Sequence, residues 1–118
     1  MKSKLLVGVV AVGLAAACGG DDGGGDDTPP ASECVDTYNN YAKAFFATNC
    51  NTCHSTATFM ALNAMYALDS LALVREHEEH VIEHAVELEE PKMPQNTQGL
   101  PEAERNRLKK WYACGAKE

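Results

Sequence analysis

Apolar residues recur in helical registers along the second part of this chain, and three segments carry them. Val35, Tyr38, Ala42 and Phe45 fall at spacings of three and four, with Tyr41 and Phe46 widening the stripe, which predicts an amphipathic helix over 35–48. From 70 to 88, Leu71, Val74, Val81, Ala85 and Leu88 keep that period while Glu76, Glu79, Glu83 and Glu87 fill the polar face, with Asp69 or Ser70 as the cap. Over 101–113, Pro101 suits the first turn, Glu102 and Glu104 the positive end, Lys109 and Lys110 the negative end, and Gly115 the stop. Leu108, Trp111 and Tyr112 form the apolar face of this last helix, where Tyr41 and Phe45 of the first can meet them. No period-two segment, hairpin dipeptide or internal repeat interrupts the pattern, so the expected class is all-α.

The first part of the chain follows a different rule. Lys2 and Lys4 precede the apolar run from Leu5 to Leu14, which gives way to Ala15-Ala16-Ala17-Cys18. That is the layout of a signal peptide over 1–17, shorter than the roughly 20 apolar residues a membrane span needs. Leu14-Ala15-Ala16-Ala17-Cys18 resembles a bacterial lipobox, in which the cysteine is lipidated and becomes the new N-terminus. The alternative is an ordinary secretory signal with an incidental cysteine. Residues 18–33 are dominated by Gly, Asp and Pro and contain little that can enter a core, so they read as a self-repelling tether with a reach of about 20 Å. Lipid at Cys18 anchors a protein to a membrane without spanning it. Gly19 after that cysteine, where Asp would signal retention, points by analogy with lipoprotein sorting to the outer membrane. The folded domain is expected over 34–118.

Charge removes one class of partner. Ten Lys and Arg against 17 Asp and Glu give −7, without the clustered cations that nucleic-acid phosphates require. One small domain of this kind buries about two-thirds of the surface of its unfolded chain and generally leans on a disulfide, metal or cofactor.

The cysteines indicate which. Cys50-Asn51-Thr52-Cys53-His54 is C-x-x-C-H, the attachment sequence of c-type haem. Two thiols on one turn can each add across a porphyrin vinyl group, and the adjacent His54 then supplies the proximal iron ligand. A thioredoxin-like pair would need a βαβ context with the motif opening a helix, and a four-cysteine zinc site would need a second C-x-x-C. Neither is present. Covalent attachment takes place outside the cytoplasm, where the signal peptide sends the chain. With Cys18 assigned to lipid and Cys50 and Cys53 to haem, Cys34 and Cys114 are left as an even pair in an oxidising compartment, where a structural disulfide is expected; an intermolecular bridge or free thiols are the competing uses.

Over about residues 34 to 116 the chain resembles the class I cytochromes c, small all-α proteins with three main helices around one covalent haem. The resemblance rests on Cys50 to His54, on Lys92-Met93-Pro94, and on the ending from Leu100-Pro101-Glu102-Ala103-Glu104-Arg105 through Leu108 to Trp111-Tyr112-Ala113-Cys114-Gly115-Ala116. It is similar to periplasmic and lipoprotein cytochromes in which the methionine of the M-P step is the distal ligand, implying Met93 here. Pro94 restricts Met93 to extended geometry in its loop. Met60 and Met65, nearer the attachment motif, are expected to pack around the haem, and Arg75 is available to a propionate.

The resemblance implies an electron carrier at the periplasmic face of a bacterial membrane, docking transiently on protein donors and acceptors. His54 and Met93 together fill both axial positions and leave no site for substrate, which argues against an enzyme. An acidic face would steer toward a basic partner; a rim of Lys92, Lys109 and Lys110 would favour an acidic one. Two other readings stand beside it. Loss of a distal ligand would make a haem-based sensor; His77, His80 and His84, at spacings of three and four, read first as solvated side chains of a Glu-rich helix with one against the haem edge, and otherwise offer a distal imidazole or, in a haem-free lipoprotein, a zinc or copper site.

Overall fold

The computed structural model describes residues 28–118; the expected signal segment, Cys18 with its lipid, and most of the tether lie outside the described residues. Every regular element among the described residues is helical, as the periodicity predicts. No helix among them is long and apolar enough to cross a membrane.

A short 3-10 turn, Ala31–Glu33, leads to Cys34. Thr37 then starts the first long element with a reciprocal cap: its hydroxyl accepts from the Asn40 amide at 3.2 Å, and its own amide donates to the Asn40 side chain at 2.7 Å. A π-helical turn, Tyr38–Ala42, runs into α1, Lys43–Asn49. The start therefore falls three residues after Val35, which is 70% exposed and does not belong to the apolar stripe. Tyr41, Ala42, Phe45 and Phe46 are buried.

The segment expected as one helix over 70–88 is divided. Ser70, not Asp69, caps α2, Leu71–Glu76, by accepting from the Leu73 amide at 3.3 Å. The chain kinks at His77 (φ −105°, ψ 23°) into α3, Glu78–Val81, and a second π-helical turn, Ile82–Val86. Backbone bonds run through the kink, from the His77 amide to Leu73 and from Val81 to His77, so the axis is bent without being broken. Leu88, at φ 60°, turns the chain out. The last helix, α4, Glu102–Ala113, follows Pro101 and closes before Gly115 at φ +81°, a conformation that favours glycine.

Leu108, Trp111 and Tyr112 of α4 are buried against Val74, Val81, Ala85 and the aromatic face before and within α1. Phe46 makes the aromatic contact with Trp111, edge-on at 6.4 Å, where Tyr41 and Phe45 were expected. Tyr41 instead lies beneath the Arg107 guanidinium, 4.1 Å from its ring centre. The Tyr112 hydroxyl donates to the Val74 carbonyl at 2.9 Å, tying α4 to α2. Arg75, read from sequence as a propionate partner, donates through Nε and Nη2 to the Ala116 carbonyl at 3.0 and 2.7 Å. Its guanidinium holds the C-terminal segment.

Cys34 and Cys114 form the expected intramolecular disulfide, with Cα atoms 5.6 Å apart. Two ion pairs flank it. Lys110 reaches Glu33 at 2.7 Å, and Arg107 forks onto both oxygens of Asp36, each at 2.8 Å. The Arg107 hydrogen bonds hold the Asp36 carboxyl below its usual range against the opposing effect of burial. A carboxylate with a lowered folded pKa stabilises the fold at neutral pH and loses that contribution as pH falls through its folded pKa. Asp36→Asn is therefore expected to make the melting temperature fall less than the parent's between neutral pH and about pH 3, as read by circular dichroism.

Candidate functional site

Cys50 stands at the C-terminal end of α1, where its amide donates to the Phe46 carbonyl at 2.9 Å. The chain then wraps around the Cys50 carbonyl, which accepts from Cys53 at 3.1 Å and from His54 at 2.9 Å. One turn thus gathers Cys50, Cys53 and His54. Neither cysteine is in a disulfide; Cys50 is partly buried and Cys53 exposed.

Position and environment set the chemistry of these thiols. Burial pushes the Cys50 thiol up to about 12, and the negative end of the α1 dipole also disfavours a thiolate. Nucleophilic C-x-x-C pairs have the reverse arrangement, with a lowered pKa at a helix N-terminus. A dithiol redox role does not suit this placement.

His54 is fixed on two sides. Its carbonyl accepts from the Leu68 amide, and its Nδ1 lies 2.8 Å from the Tyr66 carbonyl. A carbonyl can only accept, so Nδ1 carries the hydrogen and the lone pair of the neutral ring lies on Nε2. The acceptor segment is itself held, because Thr56 donates its amide and hydroxyl to the two Asp69 oxygens, both at 2.8 Å. These bonds close the loop from 55 to 69. Met60 and Met65 on it are 77% and 76% exposed, and the loop's contribution to the protein core comes from Ala67 and Leu68.

Met93 is partly buried and packs against the same core as Cys50. Its amide donates to the His84 carbonyl at 3.0 Å, attaching the loop to the π turn Ile82–Val86. Arg105, to which no motif or spacing in the sequence assigns a task, clamps this loop at both ends: Nη1 donates to the Val86 carbonyl at 3.0 Å and Nε to Leu100 at 3.1 Å. Gly99 has φ +88°, and a Cβ there would come within 2.5 Å of Leu88 Cδ2, so glycine lets the returning strand of the loop pass Leu88.

The three helix histidines do not act as one row. The Tyr66 ring lies against His77 and His80 at 4.3 and 4.6 Å, while His80 and His84 group with Glu83. Two of the expected rim lysines are paired, Lys92 with Glu90 at 3.7 Å and Lys110 with Glu33. Two polar atoms are buried without a hydrogen-bond partner among the described residues, the Tyr41 hydroxyl and the Asn51 side-chain oxygen, the latter within the C-x-x-C-H turn. No family model, curated protein or solved structure matches the chain.

Proposed function

We propose that this chain is a monohaem c-type cytochrome that carries electrons at the periplasmic face of a bacterial membrane, tethered through lipid on Cys18. The carrying observation is the His54 ring, whose Nδ1 is committed to the Tyr66 carbonyl and whose Nε2 lone pair has no hydrogen-bond donor among the described residues, one residue from an unbridged cysteine. An outer hydrogen bond of this kind fixes the tautomer and orientation of a ligating histidine and raises its basicity. The residues fit the group: two unbridged thiols on one turn suit two thioethers, and Met93 would offer a second, softer iron donor from a loop fixed at both ends. When bound, the haem supplies one-electron exchange between Fe(III) and Fe(II).

Each residue then has a defined task. Cys50 and Cys53 would hold the cofactor covalently, and His54 through Nε2 and Met93 through its sulfur would ligate the iron. Arg105 and Gly99 hold the Met93 loop against the rest of the fold. The exposed Met60, Leu62 and Met65 offer apolar surface on the loop that follows the attachment turn. The Cys34–Cys114 disulfide accords with an oxidising compartment.

Met93→Ala tests the axial assignment. The oxidised parent is expected to show the weak far-red absorption band of methionine-ligated ferric haem, and the variant to lack it while retaining covalent haem. A band that survives the substitution, or a parent without one, would remove Met93 as ligand and turn attention to the histidines.

A further inference from the structure

His80, Glu83 and His84 form a second constellation that electron transfer does not use. One donor atom from each lies within 4.8 Å of the others. The approaches are specific: His80 Nδ1 is 3.6 Å and His84 Nε2 4.0 Å from the same Glu83 oxygen, Oε2. The two imidazole planes are within 4° of parallel, with centres 6.5 Å apart. The spacing, i, i+3 and i+4 across the junction of α3 and the π turn, puts all three on one side of the chain.

The nitrogens pointing away from Glu83 are also engaged. His84 Nδ1 faces the Glu89 carbonyl at 3.2 Å; a carbonyl only accepts, so Nδ1 carries a hydrogen, and in the neutral ring the lone pair is on Nε2, toward Glu83. His80 Nε2 is 3.0 Å from the Tyr66 hydroxyl, which accepts from it in the tautomer that turns the Nδ1 lone pair toward Glu83. An ordinary histidine–glutamate ion pair needs a hydrogen on the facing nitrogen. The neutral His84 ring offers a lone pair there instead, which a cation can take, and outer hydrogen bonds of this type accompany metal-ligating histidines.

We propose that His80, Glu83 and His84 bind a divalent transition cation of the Zn(II) or Cu(II) class. Two imidazoles and one carboxylate select such ions over Ca(II) or Mg(II), which take oxygen ligands. Tetrahedral zinc with bonds of about 2.0 Å needs donor atoms roughly 3.3 Å apart, which small side-chain rotations provide from the observed separations. The three side chains are 42%, 39% and 27% exposed, so a water or a donor from a docking partner can take the fourth position. His77 is not part of the site.

Zinc titration of the full chain by isothermal calorimetry tests this. The parent is expected to bind one more equivalent of Zn(II) than the His80→Ala/His84→Ala variant, Glu83→Gln to weaken that equivalent at least tenfold, and His77→Gln to change it less than about twofold. Tyr66→Phe, which removes only the outer hydroxyl, is expected to weaken it by about tenfold. Equal stoichiometry and affinity in parent and double variant would overturn the site, and a His77→Gln loss as large as that of Glu83→Gln would overturn this choice of ligands. The comparison holds whether or not Cys50 and Cys53 carry haem, because those residues are the same in every variant.

Discussion

With the proposed attachment, the parent is expected to carry one acid-resistant haem per polypeptide and the Cys50→Ser/Cys53→Ser chain none. Each thioether needs its own thiol, and the other two described cysteines are consumed in the Cys34–Cys114 disulfide. Single replacement of Cys53, which is exposed and outside the core, is expected to leave one thioether and a shifted absorption maximum. Cys50 packs against the core beside α1, so its loss also perturbs stability. The fold nonetheless rests chiefly on Phe46, Val74, Leu108 and Trp111, all 1% exposed or less, and these remain in the double variant. Intact-mass measurement on the denatured protein reads the outcome: haem mass persisting on the Cys50→Ser/Cys53→Ser chain would contradict attachment at this motif.

The second large effect concerns the bridge between the ends of the domain. Cys34 and Cys114 are 80 residues apart in sequence, and a loop of that length restricts the unfolded chain by roughly 4 kcal/mol in the chain-entropy treatment. Cys34→Ser/Cys114→Ser is therefore expected to lower the melting temperature by on the order of 20 °C. The Lys110–Glu33 and Arg107–Asp36 pairs along the same seam do not compensate, because their lysine and arginine side chains are 43% and 48% exposed and exposed pairs contribute little. Urea unfolding with and without reductant separates bridge from side-chain effects. Reductant should lower the parent toward the variant and leave the variant unchanged; a variant within 1 kcal/mol of the parent would show the bridge to be dispensable.

How much was legible depended on whether a feature is local. The last helix was readable nearly to the residue, since Pro101, the first-turn acids, the buried stripe and Gly115 all lie within it or directly at its ends. The segment over 70–88 was readable as helical but not as bent. Its period is intact across His77, and the Tyr66 ring packed there comes from a loop with no periodic signal. Val35 continues the helical spacing by coincidence, whereas the Thr37–Asn40 cap sets the start. The chemistry divided in the same way. The thiols and His54 were legible as a motif, while the Tyr66 carbonyl that orients His54 is a backbone atom and leaves no mark in sequence. Arg105 resembled any helix-surface arginine until the open carbonyls of Val86 and Leu100 were brought to it. The histidine row was visible as a spacing, but only the fold separates His77 from His80 and His84 and places Glu83 between the other two.

Covalent haem is the point on which the functional proposal turns. The most direct measurement is expression of the full chain together with a cytochrome maturation system, followed by acid–solvent extraction, intact mass and the reduced alkaline pyridine spectrum of the polypeptide fraction. One haem per chain, retained after extraction and showing the spectrum of two thioethers, is the predicted result. A folded chain with the Cys34–Cys114 bridge formed but no haem, or haem that passes entirely into the solvent, would contradict it.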